Sequence, residues 1–142
     1  MSEVIERVEQ AIKNTIPEKY RKDLEIQRTK VTGHYNDKII ILETSIRKKK
    51  IAQAIFAYLI DSLNERDLKW IKRNLDQIID EKGSLYLRLS KQDAYENKIR
   101  VASDNDIIRL KIVFRQYPRN NITDIKTFIV KHIEDRLNRQ RE

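Results

Sequence analysis

Apolar side chains recur at intervals of three and four from Val4 and Ile5 through Val8, Ala11 and Ile12 to Ile16, which predicts an amphipathic helix from Ser2 to Thr15. Ser2 is placed to cap it, Glu3 and Glu6 suit its positive end, and Pro17 stops it. Two β-rich runs follow, Leu24 to Val31 and Lys38 to Ile46. The turn-like Gly33-His34-Tyr35-Asn36-Asp37 between them predicts a hairpin. Helical spacing then returns twice. Ile51, Ala54, Ile55, Tyr58, Leu59 and Leu63 make one stripe, and Leu68, Ile71, Leu75, Ile78 and Ile79 make another. Asn64 stands between them with Asp67 three residues on, close to a capping box.

After the turn Asp80-Glu81-Lys82-Gly83 the period changes to two. Leu85, Leu87 and Leu89 alternate with Tyr86 and Arg88; Ile99 and Val101 alternate with Lys98 and Arg100. Ile108, Leu110, Ile112 and Phe114 alternate with Arg109, Lys111, Val113 and Arg115. Three short strands with one buried and one wet face are expected. Beyond Pro118, Ile122, Ile125, Ile129, Ile133 and Leu137 mark a final helix. The order α-ββ-αα-βββ-α implies an α+β two-layer sandwich, a largely antiparallel sheet with helices on one face. Residues 1–118 form the domain and 119–142 an amphipathic helical extension. Its stripe must be buried on the same chain or in a homodimer, because monomers rarely expose such a patch.

Composition narrows the chemistry. Among 142 residues there are two glycines, Gly33 and Gly83, so phosphate-cradling loops and nucleophile elbows, which need closely spaced glycines, are absent. Without cysteine there are no disulfides, thiolate metal sites or thiol nucleophiles. His34 and His132 are too far apart for a local metal motif, and His34 reads as a residue tolerated in a turn. No cofactor, metal site or catalytic residue is therefore expected. No apolar run is long enough to cross a membrane and the start of the chain lacks a signal-peptide pattern, so a cytoplasmic protein is expected.

The net charge of +8 and pI near 9.7 favour a polyanionic partner, nucleic acid foremost. Residues 84–120 hold eight bases against four acids, and those acids (Asp93, Glu96, Asp104, Asp106) fall between the predicted strands. The outward strand face would thus present Arg88, Lys98, Arg100, Arg109, Lys111 and Arg115 around Tyr86, a pattern that contacts phosphates and stacks a base. Arg47-Lys48-Lys49-Lys50 precedes a helix, where cations oppose the macrodipole by roughly 0.3–1 kcal/mol each unless an anion neutralises them. Past the first strand of this region, Lys91 and Gln92 would present a cation and an amide, with Tyr95 free to stack or to plug the fold.

Leu85-Tyr86-Leu87-Arg88-Leu89-Ser90-Lys91-Gln92-Asp93-Ala94-Tyr95 resembles the "YLR-L-x-KQ-x-AY" segment of an archaeal family of exosome-associated RNA-binding proteins. Gly33 to Asp37 looks like that family's Gly-His-x-Gly-Asn turn, and Asp104-Asn105-Asp106-Ile107-Ile108-Arg109 like its acidic turn and "D-x-I-R" strand. The resemblance spans Val4 to Tyr117. Asn36 and Asn97 replace glycines of the pattern, and asparagine is the best substitute at positive φ. The strand expected ahead of the first helix is missing. The likeness implies a small α+β fold akin to double-stranded-RNA-binding domains, with RNA and the exosome or other RNA-processing proteins as partners. The expectation is a non-enzymatic RNA-binding accessory protein. Two rivals stay open: a subunit whose basic surface docks an acidic protein, and a metal-dependent nuclease using scattered acids.

Overall fold

In the computed structural model, residues 4–33, 35, 38–115 and 121–139 are described, without the side chains of Lys38 and Ile39. Helix α1 (Ile5–Asn14) carries the first stripe and buries Ala11 and Ile12, with Ile16 buried just beyond. Its N-cap is Val4, which offers no side-chain acceptor; the expected cap, Ser2, lies outside the described residues. A single turn, α2 (Glu18–Arg21), follows Pro17. Strands β1 (Gln27–Thr32) and β2 (Lys38–Glu43) form the expected antiparallel hairpin, registered from Gln27 opposite Glu43 to Thr32 opposite Lys38. His34 and Asn36 lie outside the described residues.

Helix α3 (Lys49–Ser62) buries Ile55, Phe56, Leu59 and Ile60. Asn64 caps α4 (Glu65–Arg73) as its spacing predicts, its Oδ1 accepting from the Asp67 N–H at 2.8 Å. The second stripe is not one helix. Asn74 leaves helical geometry and turns its amide onto the Trp70 carbonyl at 2.8 Å, so Leu75 and Ile78 sit on a separate turn, α5 (Leu75–Ile78).

Strands β3 (Ser84–Ser90) and β4 (Ile107–Val113) pair antiparallel, from Ser84 opposite Val113 to Ser90 opposite Ile107. Between them, α6 (Lys91–Tyr95) is capped by Ser90, whose Oγ accepts from Asp93 N–H. Asn97 adopts φ 63°, the left-handed conformation its glycine-like position predicts. Helix α7 (Ile122–Arg139) closes the described chain.

The α+β class and the antiparallel pairing hold, but the single sheet does not form. The strands make two separate two-stranded sheets, β1-β2 and β3-β4. Strand β1 is exposed at every position, and Ile40 and Ile41 on β2 are also exposed, so neither face is buried strongly enough to dock the hairpin on the other sheet. Arg28 ties it to α1 through Glu9, with Nε–Oε1 at 2.9 Å. The middle strand of the predicted three shrinks to one bridge, Leu89 opposite Val101. The Asn97 turn precedes it, and on its far edge the Val101 N–H is taken by the Asp67 carboxylate at 2.9 Å instead of another strand.

One core joins the β3 leucines, Leu59, Leu63, Leu68 and Ile71 to Ile125, Ile129, Ile133 and Leu137 of α7. The last stripe is therefore buried on its own chain, the first of the two alternatives. Ion pairs Lys72–Glu134 and Lys126–Asp76, both 2.8 Å, edge the same contact.

Candidate nucleic-acid interface

Strand alternation sends Leu85, Leu87 and Leu89 into the core, each under 5% exposed, and leaves Tyr86 and Arg88 outside. On β4 the exposed positions are Arg109, Lys111 and Val113. The register sets Arg88 directly opposite Arg109 and Tyr86 directly opposite Lys111. The bridge adds one more cation. Ser90 N–H donates to the Arg100 carbonyl at 2.9 Å and Ala102 N–H to the Arg88 carbonyl at 2.8 Å, which places Arg100 beside Ser90 on the outer face.

Four predicted residues thus share one sheet face, and Arg100 extends it. Among the described residues, no carboxylate pairs with Arg88 or Arg109, and Lys111 lies in the field of the Asp80 carboxylate without forming an ion pair with it. Like charges directly opposite across a sheet cost stability, so the Arg88–Arg109 pair is a surface that an anion would relieve. A shallow cleft of about 280 Å³ opens there, lined by Tyr86, Leu87, Arg88, Arg109 and Leu110.

Tyr86 is anchored. Its hydroxyl donates to Asp80 Oδ2 at 3.0 Å, and the Lys111 ammonium lies 5.6 Å from its ring centroid. The other Asp80 oxygen accepts the Lys82 and Ser84 N–H groups, both at 2.9 Å. The Ser84 N–H, reinforced by the Tyr86 hydroxyl, the Lys82 N–H and the Lys111 charge, holds the Asp80 carboxyl below its ordinary value against a partial desolvation. From sequence alone Asp80 reads only as a turn residue. Its signal was present, since an aspartate followed two residues later by a turn N–H is an Asx-turn pattern.

The lysine–glutamine segment is built differently from expectation. Lys91 is not a presented cation: its ammonium pairs with Asp106 at 2.8 Å, with the side chain 19% exposed, and its N–H donates to the Asp106 carbonyl. Gln92 donates to Glu96 one turn on, at 3.2 Å. Tyr95 is partly exposed, with the Arg7 guanidinium 5.5 Å from its ring centroid. The buried Asn14 amide donates to the Ala94 and Tyr95 carbonyls, so α1 clamps the end of α6.

Arg47, Lys48, Lys49 and Lys50 are all exposed at the start of α3, whose N-cap, Lys48, offers no side-chain acceptor to the first N–H groups. No group of three or more His, Cys, Asp or Glu side chains among the described residues is arranged to hold a metal. No helix among them is long and apolar enough to cross a membrane.

A family model described as RNA binding matches residues 1–114, which include the hairpin, the α3 start and both strands of the basic face. The chain belongs to this RNA-binding family. It is 25% identical over 122 residues to an RNA-binding protein of Pyrococcus abyssi, covering 85% of this chain and 79% of that one. Its fold is similar to a crystal structure of a DUF54 protein from Archaeglobus fulgidus, with TM-score 0.77, 27% identity and coverage of 92% and 90% of the two chains. A Sulfolobus solfataricus DUF54 structure is similar at TM-score 0.74, with 26% identity over 95% and 91%.

Proposed function

We propose that the protein binds RNA through the outer face of β3–β4, with phosphates on Arg88, Arg109, Lys111 and Arg100 and a base against Tyr86. The observation that carries this reading is the Arg88–Arg109 pair, directly opposed, exposed and without a described carboxylate partner, beside an anchored half-exposed tyrosine. Arg47 to Lys50 at the uncapped α3 start supply a second phosphate contact. Lys91 and Gln92 serve this face indirectly, by fixing the turn that joins β3 to the Arg100 segment.

The role is that of an accessory without turnover of its own. The two widely separated glycines and the lack of cysteine support that part, and the likeness of Leu85–Tyr95 to exosome-associated proteins supports a place in RNA processing or degradation. Fluorescence anisotropy with labelled RNA across a salt series tests the binding. Neutralising about four phosphates makes log K fall with log salt at a slope near −3 for single strands. No binding at low salt, or a flat salt dependence, overturns the reading.

A further inference from the structure

A second cleft, of about 290 Å³, lies where the helical layer meets the Asn97–Arg100 segment. Its helical wall is the last turn of α3 and the α3–α4 junction, with Tyr58, Ser62 and Asn64; Asn97, Lys98, Ile99 and Arg100 form the other wall. No carboxylate lines it. Among the described residues Lys98 and Arg100 have no ion-pair partner.

The Tyr58 hydroxyl is occupied, donating to the Asn14 carbonyl at 3.2 Å and accepting from Arg21 at 3.5 Å, so the ring is a fixed wall. Asn64 Oδ1 caps α4, which leaves its NH₂ to donate. The Ser62 hydroxyl and the Asn97 amide have no partner among the described residues. The left-handed Asn97 turn and the Lys98 N–H bond to the Asp93 carbonyl, 2.8 Å, hold this wall in place. Residues carrying two cations, two amides and a hydroxyl therefore line a space at the small end of ligand sites. That space is too small for a duplex and suits one nucleotide.

Arg100 belongs to both surfaces: it stands beside Ser90 on the outer sheet face and also lines this cleft. Phosphates lying along Arg109, Arg88 and Arg100 lead a strand over the sheet edge to Lys98. Single-stranded RNA is read through unstacked bases hydrogen-bonded on their edges, the chemistry that Ser62, Asn64 and Asn97 offer. We propose that this cleft receives one unstacked nucleotide of a strand crossing the basic face, its phosphate on Lys98 and Arg100. The proposal rests on the RNA-binding reading of that face and adds single-strand selectivity to it.

The test uses the full chain, a labelled twelve-nucleotide single strand and the same sequence as a duplex. Ser62→Phe fills the cleft from an exposed position without adding charge. It should weaken single-strand binding about tenfold, leave duplex binding within about twofold, and keep the salt slope. Lys98→Gln, also exposed, should lower the slope for single strands by about 0.7. Both melts should match the parent, which separates a lost site from a damaged fold. If both variants bind the single strand like the parent while Arg109→Glu still loses affinity, the cleft proposal is wrong and the basic face stands. If Ser62→Phe and Lys98→Gln respond as expected while Arg109→Glu does not, the strand does not cross the basic face, and the face reading falls together with the path proposed here. If the parent binds neither RNA, both fall.

Discussion

Arg109→Glu should strengthen the fold and weaken RNA binding at the same time. Arg109 faces Arg88 directly across the β3–β4 ladder, and both side chains are exposed. The substitution turns an opposed like-charge pair into an opposite-charge pair. Cross-strand pairs of this kind contribute roughly 0.2–1 kcal/mol, and removing the repulsion adds a similar amount. Solvent screening at an exposed site holds the total to about 0.5–1 kcal/mol at low salt, a rise in Tm of roughly 1–4 °C. The functional loss is larger. The introduced carboxylate cannot hold a phosphate, and it also occupies Arg88, so two of about four contacts disappear. The slope of log K against log salt should drop from near −3 to near −1.4 for single strands. Differential scanning fluorimetry at low and high salt, with anisotropy on the same samples, measures both quantities. A lower Tm at low salt would show that the arginines are not in repulsion. Unchanged affinity and slope would show that this face does not carry the phosphates.

Lys91→Glu should lower the melt, because it sets a carboxylate against the half-exposed Asp106 from a largely covered position; Lys91→Gln should cost clearly less, and equal melts for the two would refute the pairing. Gly83→Ala should destabilise by about 1–3 kcal/mol in urea titration, since φ is +85° and the Cδ1 tip of the buried Ile125 must shift to admit the new Cβ; an unchanged midpoint would contradict the geometry. Asp80 has a folded-state pKa below its ordinary 3.8, so its stabilising contribution is complete above that value and is lost as pH falls through the lower folded one. Asp80→Asn should accordingly flatten the acid limb of the stability–pH curve below pH 4, and an identical limb would refute the Ser84 and Tyr86 bonds.

Local pattern alone determined a good deal of this protein. The helical stripes, the two-residue alternation of β3 and β4 and the Asn64 cap all depend on neighbours within a few positions, whereas the left-handed Asn97 follows from the glycine that the resembled family has at its place. The same alternation sorted Tyr86, Arg88, Arg109 and Lys111 onto the wet face, because successive strand side chains point to opposite sides. Pairing was decided only by the folded chain. Nothing in Ile99 and Val101 shows that Asp67, more than thirty residues earlier, takes the Val101 N–H and reduces a strand to one bridge. Nor does the lysine–glutamine segment reveal that Asp106 neutralises Lys91, or that α1 clamps α6 through Asn14. The run from Ile39 to Leu42 has no alternation, so it predicts a strand but not which sheet it joins. The second cleft was invisible for the same reason: its walls, Ser62–Asn64 and Asn97–Arg100, are separated in sequence and meet where Asp67 of α4 accepts the Val101 N–H. Periodicity encodes which face a side chain takes, whereas charge partners, ladder length and clefts depend on which distant segments the core brings together.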